Sequence, residues 1–224
     1  LSSFTHVTVY TQSTLVEQTT PASVAFDDKF ASVGSVKLRD LDLDVGDLGG
    51  QVTWGPPPFS VSLVSAYNVY FANDANGGGR SAIVDHVLQG TNEASVAVDT
   101  PASFTHLVVY TQSAFTEQTT PAGYLIEDIA VVLENVVFVD KDLDGLQLGG
   151  FVTWKPMLPA TESEILNLVG TYNVYLANLS DGFNSTLGIV NAGTNSLIVA
   201  PETASSISFT HVAVYAQSSL VEQS

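Results

Sequence analysis

Two short runs of alternating aspartates have the residue type and spacing to bind a metal ion. The runs lie 100 residues apart: Asp40, Asp42 and Asp44, then Asp140, Asp142 and Asp144. Alternate residues of an extended strand share a face, so the three carboxylates of a run would converge and repel one another. Calcium, a hard cation that prefers oxygen ligands, would relieve that repulsion. The pattern therefore makes calcium the candidate cofactor.

The second run also begins like a known calcium-binding loop. "DKDLDG", from Asp140 to Gly145, matches the opening of an EF-hand loop. The twelfth position of that loop should hold a bidentate Glu, but here it is Phe151, and no helical pattern flanks the run. The alternative hypothesis is a solvated edge strand whose charges prevent pairing with other strands.

The sequence gives little indication of a catalytic site. His6, His106 and His211 occupy one repeated position, and no nucleophile or carboxylate recurs with them. His86 stands alone, and no phosphate-binding loop, nucleophile elbow or zinc-ligand spacing is present. We therefore expect a protein that is not an enzyme. Two sequons, Asn178-Leu-Ser and Asn184-Ser-Thr, are candidate glycosylation sites.

The composition restricts the partners. There are 23 acidic and 6 basic residues, a formal net charge of −17, so nucleic acid and anionic membrane surfaces are poor partners. The absence of cysteine excludes a disulfide framework, a thiolate metal site and a Cys nucleophile. No apolar run is long enough to cross a membrane, so we expect no membrane insertion. The start at Leu1 suggests a mature or excised piece of a longer precursor.

The chain contains an internal sequence repeat. "SFTHVTVYTQSTLVEQ" at Ser3–Gln18 returns in close variants at Ser103–Gln118 and Ser208–Gln223. Trp54 and Trp154 end a second repeated stretch, and the period is about a hundred residues, the size of a domain. We expect residues 1–21 to be the last two strands of a preceding unit or a strand segment between subunits. Two complete units would follow, at 22–121 and 122–224.

Strand signals dominate each unit. Short segments such as "YNVYLA" are rich in β-branched and aromatic residues and are bounded by Gly, Pro, Asn and Asp. The pattern predicts an all-β fold of tandem β-sandwiches.

Several residues resemble those of the fibronectin type III and immunoglobulin-like sandwiches. Trp54 and Trp154 resemble the buried Trp of strand B, and "AYNVY" and "TYNVY" resemble the Tyr-x-Val of strand C. "THLVVYTQS" resembles strand F, and "TEQTTP" resembles strand G. The resemblance covers nearly the whole chain and implies an Ig-like β-sandwich for each unit. Where that family places its corner tyrosine, this chain has a threonine: Thr5, Thr105 and Thr210.

The expected strand F is apolar on both faces, although one face of a sandwich strand should meet water. Exposed apolar patches mark contact surfaces, so we expect an assembly interface on this face, extended by two tyrosines of strand C; the alternative is that other parts of the chain cover it. The candidate residues are Phe4, His6, Tyr10, Phe104, His106, Tyr110, Phe209, His211, Tyr215, Tyr70 and Tyr175.

These features favour a structural role. We expect an extracellular or cell-surface filament protein whose units associate head to tail, as a homopolymer or as repeats of a longer chain. A cell-surface adhesin or carbohydrate-binding stalk is the first alternative, and the accessory β-domains of a secreted enzyme are the second. Residues 3–18 match 208–223 at 13 of 16 positions. This hairpin either ends an upstream domain or completes a sandwich in an adjacent copy by strand addition.

Overall fold

A computed structural model describes residues 4–157, 167–178 and 184–224, without the side chain of Asn184. The chain is almost entirely β-strand, which confirms the predicted all-β fold. The first strands are β1 (His6–Val9), β2 (Ala22–Ala25), β3 (Gly34–Asp40), β4 (Asp47–Gly55), β5 (Val64–Ala72), β6 (Ser81–Leu88), β7 (Glu93–Pro101), β8 (His106–Ser113) and β9 (Ala122–Leu125). The remaining strands are β10 (Val132–Asp140), β11 (Gln147–Met157), β12 (Val169–Ala177), β13 (Asn184–Asn191), β14 (Ser196–Ala204) and β15 (His211–Ser218).

Helix is limited, among the described residues, to one 3-10 turn at Val61–Leu63. A bilayer-spanning helix, with the necessary length and hydropathy, is not found in that part of the chain.

Strands β3 to β9 form the first unit as two antiparallel sheets. One has the order β3-β4-β7 and the other β6-β5-β8-β9. Alternate side chains of both sheets point into a shared core, which contains Trp54 of β4, Tyr67 and Val69 of β5, and Leu107 and Val109 of β8. The two sheets therefore pack face to face in the manner of a β-sandwich.

The second unit repeats this plan. Its sheets have the orders β10-β11-β14 and β13-β12-β15, and Trp154 of β11, Tyr172 and Val174 of β12 lie in its core. In each unit the tryptophan meets the tyrosine edge to face, with ring centroids 5.5 Å apart: Trp54 with Tyr67, and Trp154 with Tyr172. Both indoles are about 95% buried, as expected for a core tryptophan on strand B.

The closing strand of the first two repeats, β2 and β9, lies later in the sequence than we expected. "TEQTTP" contributes an isolated bridge, Gln112 to Glu117, and the strand itself is β9, after the proline. Because β9 pairs with β8, residues 122–125 belong to the sheet of the unit before them, whereas we expected the next unit to begin at residue 122. Likewise β2 pairs with β1, so the first hairpin extends beyond residue 21.

A bulge in β4 and β11 brings each strand start close to the aspartate run. The pairing of β4 with β7 shifts register between Leu48 and Gly50. Gly50 has a φ of +138°, and a Cβ there would lie 2.2 Å from the carbonyl oxygen of Arg39, so only glycine fits. Gly150 repeats this in the second unit, with a φ of +149°. The residue before each of these glycines turns its N–H toward the first aspartate of the run.

Candidate functional site: the junction between the two units

The aspartate run lies at the end of a strand rather than along it. Asp40 is the last residue of β3, and Asp42 and Asp44 lie in the loop that follows. Asp40 Oδ1 accepts hydrogen bonds from the backbone N–H of Gly49 (3.0 Å) and of Asp42 (3.2 Å). Asp42 accepts from the N–H of Asp44 (3.3 Å) and of Asp99 (2.8 Å). The carboxylates therefore satisfy backbone donors of the loop, and they do not stand in a row on one strand face.

The second run repeats the arrangement. Asp140 accepts from the N–H of Gly149 and of Asp142, both at 3.0 Å. Asp142 accepts from the N–H of Asp144 (3.1 Å) and of Glu202 (2.7 Å). The loop conformation is thus a property of the repeat.

Each loop gathers three acidic side chains whose oxygens lie within 4.8 Å of one another: Asp42, Asp44 and Asp99, then Asp142, Asp144 and Glu202. The first aspartate of each run is outside these groups. Asp99 and Glu202 were missed from the sequence; the signal was an acidic residue at one repeated position, and both residues have a positive φ (56° and 64°). Their oxygen donors suit calcium, and calcium at these loops stays a prediction.

The negative charges of the first loop change the pKa of a neighbouring carboxyl group. Burial, and then the charges of Asp42, Asp99 and Asp44, raise the pKa of Asp47. Burial also raises the pKa of Asp40, against the N–H groups that bond to it. The loop therefore holds concentrated negative charge.

The same loop joins the first unit to the second. Asp40 Oδ2 accepts from the N–H of Ile129 (3.1 Å), and Gly46 N–H donates to Asp128 (2.8 Å). Asp44 accepts from the N–H of Ser224 (2.9 Å). Backbone groups that would be unpaired in an isolated unit are therefore bonded across the junction.

Leu43 lies at the centre of this junction. Its side chain is 1% exposed and belongs to the core of the second unit, with Val131, Val169 and Ala216. Its carbonyl accepts from the N–H of Val131 (3.1 Å) and from Gln223 Nε2 (2.8 Å). A leucine of one unit thus completes the core of the next. Burying such a side chain contributes roughly 1.5–3 kcal/mol.

A second apolar contact runs in the opposite direction. Leu220, at the tip of the last hairpin, reaches Gly49 of the first unit; a Cβ on Gly49 would lie 3.1 Å from Leu220 Cδ2. Each unit therefore supplies one leucine and one recess to the junction, which we call the Leu43 junction.

The expected assembly face is covered within the first unit. Tyr110 is buried and Tyr70 is half-buried, with their rings 5.6 Å apart. The Arg80 guanidinium lies 4.5 Å from both ring centroids, and Tyr110 OH donates to the carbonyl of Asn76 (3.2 Å). These two tyrosines are therefore covered by other parts of the same chain, which was the alternative to an assembly interface.

Glu117 holds Arg80 and Tyr70 in this arrangement. It accepts from Asn68 Nδ2 (2.6 Å), Tyr70 OH (3.0 Å) and Arg80 (2.7 Å). Burial opposes its ionisation, but the hydrogen bonds from Asn68, Arg80 and Tyr70 prevail and lower the pKa of Glu117. Burial and the bond to Glu117 raise the pKa of Tyr70 to about 12. In the second unit Tyr175, which lies 5.8 Å from Tyr215, donates to Glu222 in the same way (2.9 Å).

The remaining candidate interface residues differ between the three copies. Phe104 stacks on Phe71 at 5.7 Å, against the core of the first unit, and Phe209 is half-buried. Phe4 is 67% exposed and Tyr10 43%. Only the first copy therefore leaves its aromatic rings largely open.

The repeated histidines share one contact. The ring Nδ1 of His6, His106 and His211 lies 2.7–2.8 Å from the hydroxyl of the preceding threonine. Thr105 also donates to the carbonyl of Asn73 (2.7 Å), so its oxygen accepts from the ring of His106. The contact is therefore a property of the repeat.

The candidate glycosylation sites flank a segment that the structure does not describe. Asn178 follows β12 and is half-buried; Asn184 begins β13, and its side chain lies outside the described residues.

No family model matches this sequence, and no curated protein matches it significantly.

Proposed function

We propose that this protein is a structural protein, a segment of an extracellular filament built from tandem β-sandwich units joined head to tail. The observation that carries the proposal is the Leu43 junction. It combines a leucine in the neighbouring core with hydrogen bonds that Asp40 and Asp44 accept, and that Gln223 donates, across the junction. Apolar burial and satisfied polar groups hold two units in a fixed arrangement. A filament of domains needs such restraint if it is to withstand tension.

The sheet orders support the resemblance to fibronectin type III sandwiches. A three-stranded sheet, β3-β4-β7, faces a four-stranded sheet, β6-β5-β8-β9, as in a seven-stranded sandwich of that kind. Sandwiches of this class have many functions, so the proposal rests on the junction rather than on the fold.

The first hairpin supports joining by strand addition. Its strands β1 and β2 are exposed along their whole length, and a lone two-stranded hairpin is marginally stable in water. β2 pairs with β1 in the register that β9 uses with β8: Ala25 faces His6 as Leu125 faces His106. Among the described residues β15 pairs with β12 alone. We infer that β2 of one copy can occupy the open edge of β15 in another.

Sedimentation velocity over a concentration series tests this function. We expect open-ended growth, because a head-to-tail contact whose rotation does not close into a ring forms a filament. Growth should increase with ionic strength, since salt screens the repulsion between chains of net charge −17. A protein that stays monomeric at all concentrations and salt levels would contradict the proposal and favour the adhesin or carbohydrate-binding stalk.

A further inference from the structure

The counterpart of Leu43 in the second unit is fully open. Leu143 follows Asp142 as Leu43 follows Asp42, yet Leu143 is 97% exposed whereas Leu43 is 1% exposed. Their loops make the same internal hydrogen bonds. Leu143 is therefore presented in the conformation that Leu43 uses to enter a neighbouring core.

The matching recess is open in the first unit. A cavity of about 350 Å³ lies at the end of that unit that faces away from the second. Its lining includes Ala31, Leu63, Val64, Thr111 and Gln118. Their counterparts in the second unit lie around Leu43: Val131, Leu168, Val169, Ala216 and Gln223. The cavity is thus the place that a leucine fills in the second unit.

Of the residues that correspond to Leu220 and Gly49, the second contact of the Leu43 junction, one is exposed and the other lines an open recess. Phe115 occupies the position of Leu220 and is 95% exposed. Gly149 occupies the position of Gly49 and lines, with Leu143 and Phe151, a recess of about 380 Å³. The two ends of the molecule are therefore complementary in both contacts.

Charge favours the same pairing. Lys29 lines the cavity and is the counterpart of Ile129, whose N–H bonds to Asp40. In an equivalent contact between copies, Lys29 would lie near Asp140 and the other acidic residues of that loop. Lys29 Nζ pairs with Asp27 in its own chain, so, compared with Ile129, it would reduce the repulsion that Asp27 and Asp28 exert on that acidic loop.

We propose that Leu143 of one copy inserts into the cavity beside Ala31 and Leu63 of a second copy, while Phe115 of the second packs on Gly149 of the first. This inference rests on the proposed function, because it names the contact through which the filament grows. The contact is heterologous, so a pair of copies keeps one free cavity at one end and one free Leu143 at the other, and further copies can add along the same axis.

The test compares two charge substitutions at exposed leucines. Leu143→Asp should weaken self-association at least tenfold in sedimentation velocity, because the variant loses the apolar side chain that fills the cavity and would have to desolvate a carboxylate beside Ala31, Leu63 and Val64. Leu88→Asp, at a leucine of β6 that is 69% exposed, should associate like the parent protein. Leu143 has almost no contacts within its own chain, so its substitution should leave the fold intact; circular dichroism checks this.

A crosslinking experiment tests the direction of the contact. The chain has no cysteine, so Leu143→Cys and Leu63→Cys proteins each carry a single thiol. Mixed and treated with a short bismaleimide, they should give a crosslink between the two different variants. Leu143→Cys alone should give little product, and Leu88→Cys mixed with Leu63→Cys serves as the collision control.

The outcomes separate this inference from the proposed function. If the parent protein does not associate, both are overturned. If the parent associates and Leu143→Asp associates equally, the filament stands and the Leu143 contact is overturned. Predominant crosslinking of Leu143→Cys to itself would also overturn it, since that product needs a two-fold contact.

Discussion

At the scale of single residues, Glu117 links strand, loop and hairpin through one carboxylate. Its partners come from β5 (Asn68 and Tyr70) and from the loop just before β6 (Arg80). Arg80 also lies over two tyrosine rings. The cluster keeps the outer face of the sheet from water and holds the last hairpin of the first unit against that face.

Glu117→Gln should destabilise the first unit by about 1 kcal/mol at pH 7. Charge-assisted hydrogen bonds are worth somewhat more than this, but Arg80 is 39% exposed and solvent screens the pair. Urea unfolding followed by Trp54 fluorescence, in a Trp154→Phe background, measures the difference. Glu17→Gln, at the same repeat position in the exposed first hairpin, is the matched control and should change nothing.

The effect of Glu117→Gln should also depend on pH. The pKa of Glu117 is lowered in the folded protein, so its ionised form stabilises the fold above the pKa of the unfolded chain. That stabilisation is lost as the pH falls through the folded pKa. The difference between parent and variant should therefore shrink below about pH 4. A difference that stays constant down to pH 2.5 would show that the charge of Glu117 is not what stabilises the cluster.

The aspartate loops give a second prediction at this scale. If Asp42, Asp44 and Asp99 bind calcium, the ion should raise the melting temperature, since a ligand of the folded state alone stabilises it by mass action. A chelator should reverse the rise at fixed ionic strength, and Asp42→Asn should reduce it. Melting curves that coincide in calcium and in chelator would leave the carboxylates with only the backbone bonds described above.

At the scale of elements, each sandwich depends on the tryptophan of its second strand. Trp54→Ala and Trp154→Ala should each cost about 3–5 kcal/mol in the unit concerned, because a large cavity would open beside the tyrosine of β5 or β12. Differential scanning calorimetry should show the transition of one unit shifting more than that of the other. Trp→Phe at each site should cost less, and solvent quenching of either parent indole would contradict its burial.

The strands and the two tryptophans could be predicted because their signals are local. Residue type and alternation over four to nine positions define β4, β5 and β8. The closing strand is expected too early because "TEQTTP" resembles strand G of the fibronectin type III pattern, whereas "AGYL" after the proline forms β9. The cover over Tyr110 was not predictable either, since it depends on where Arg80 and Glu117 meet in space.

At the scale of the whole molecule, the Leu43 junction could not be predicted from the sequence. Leu43 and Leu143 sit in nearly the same local sequence, "DLD", yet one is buried and the other exposed. The difference comes from residues far along the chain: Gln223, which bonds the carbonyl of Leu43, is 180 positions away. The repeat did indicate that units would meet end to end, but not which side chains would meet.

Electron microscopy of the native material tests the head-to-tail filament most directly. The account predicts unbranched filaments with a regular axial repeat of sandwich units, and density for a side chain in the cavity beside Ala31 at each junction. Isolated particles, or filaments in which that cavity stays empty and exposed to solvent, would contradict it.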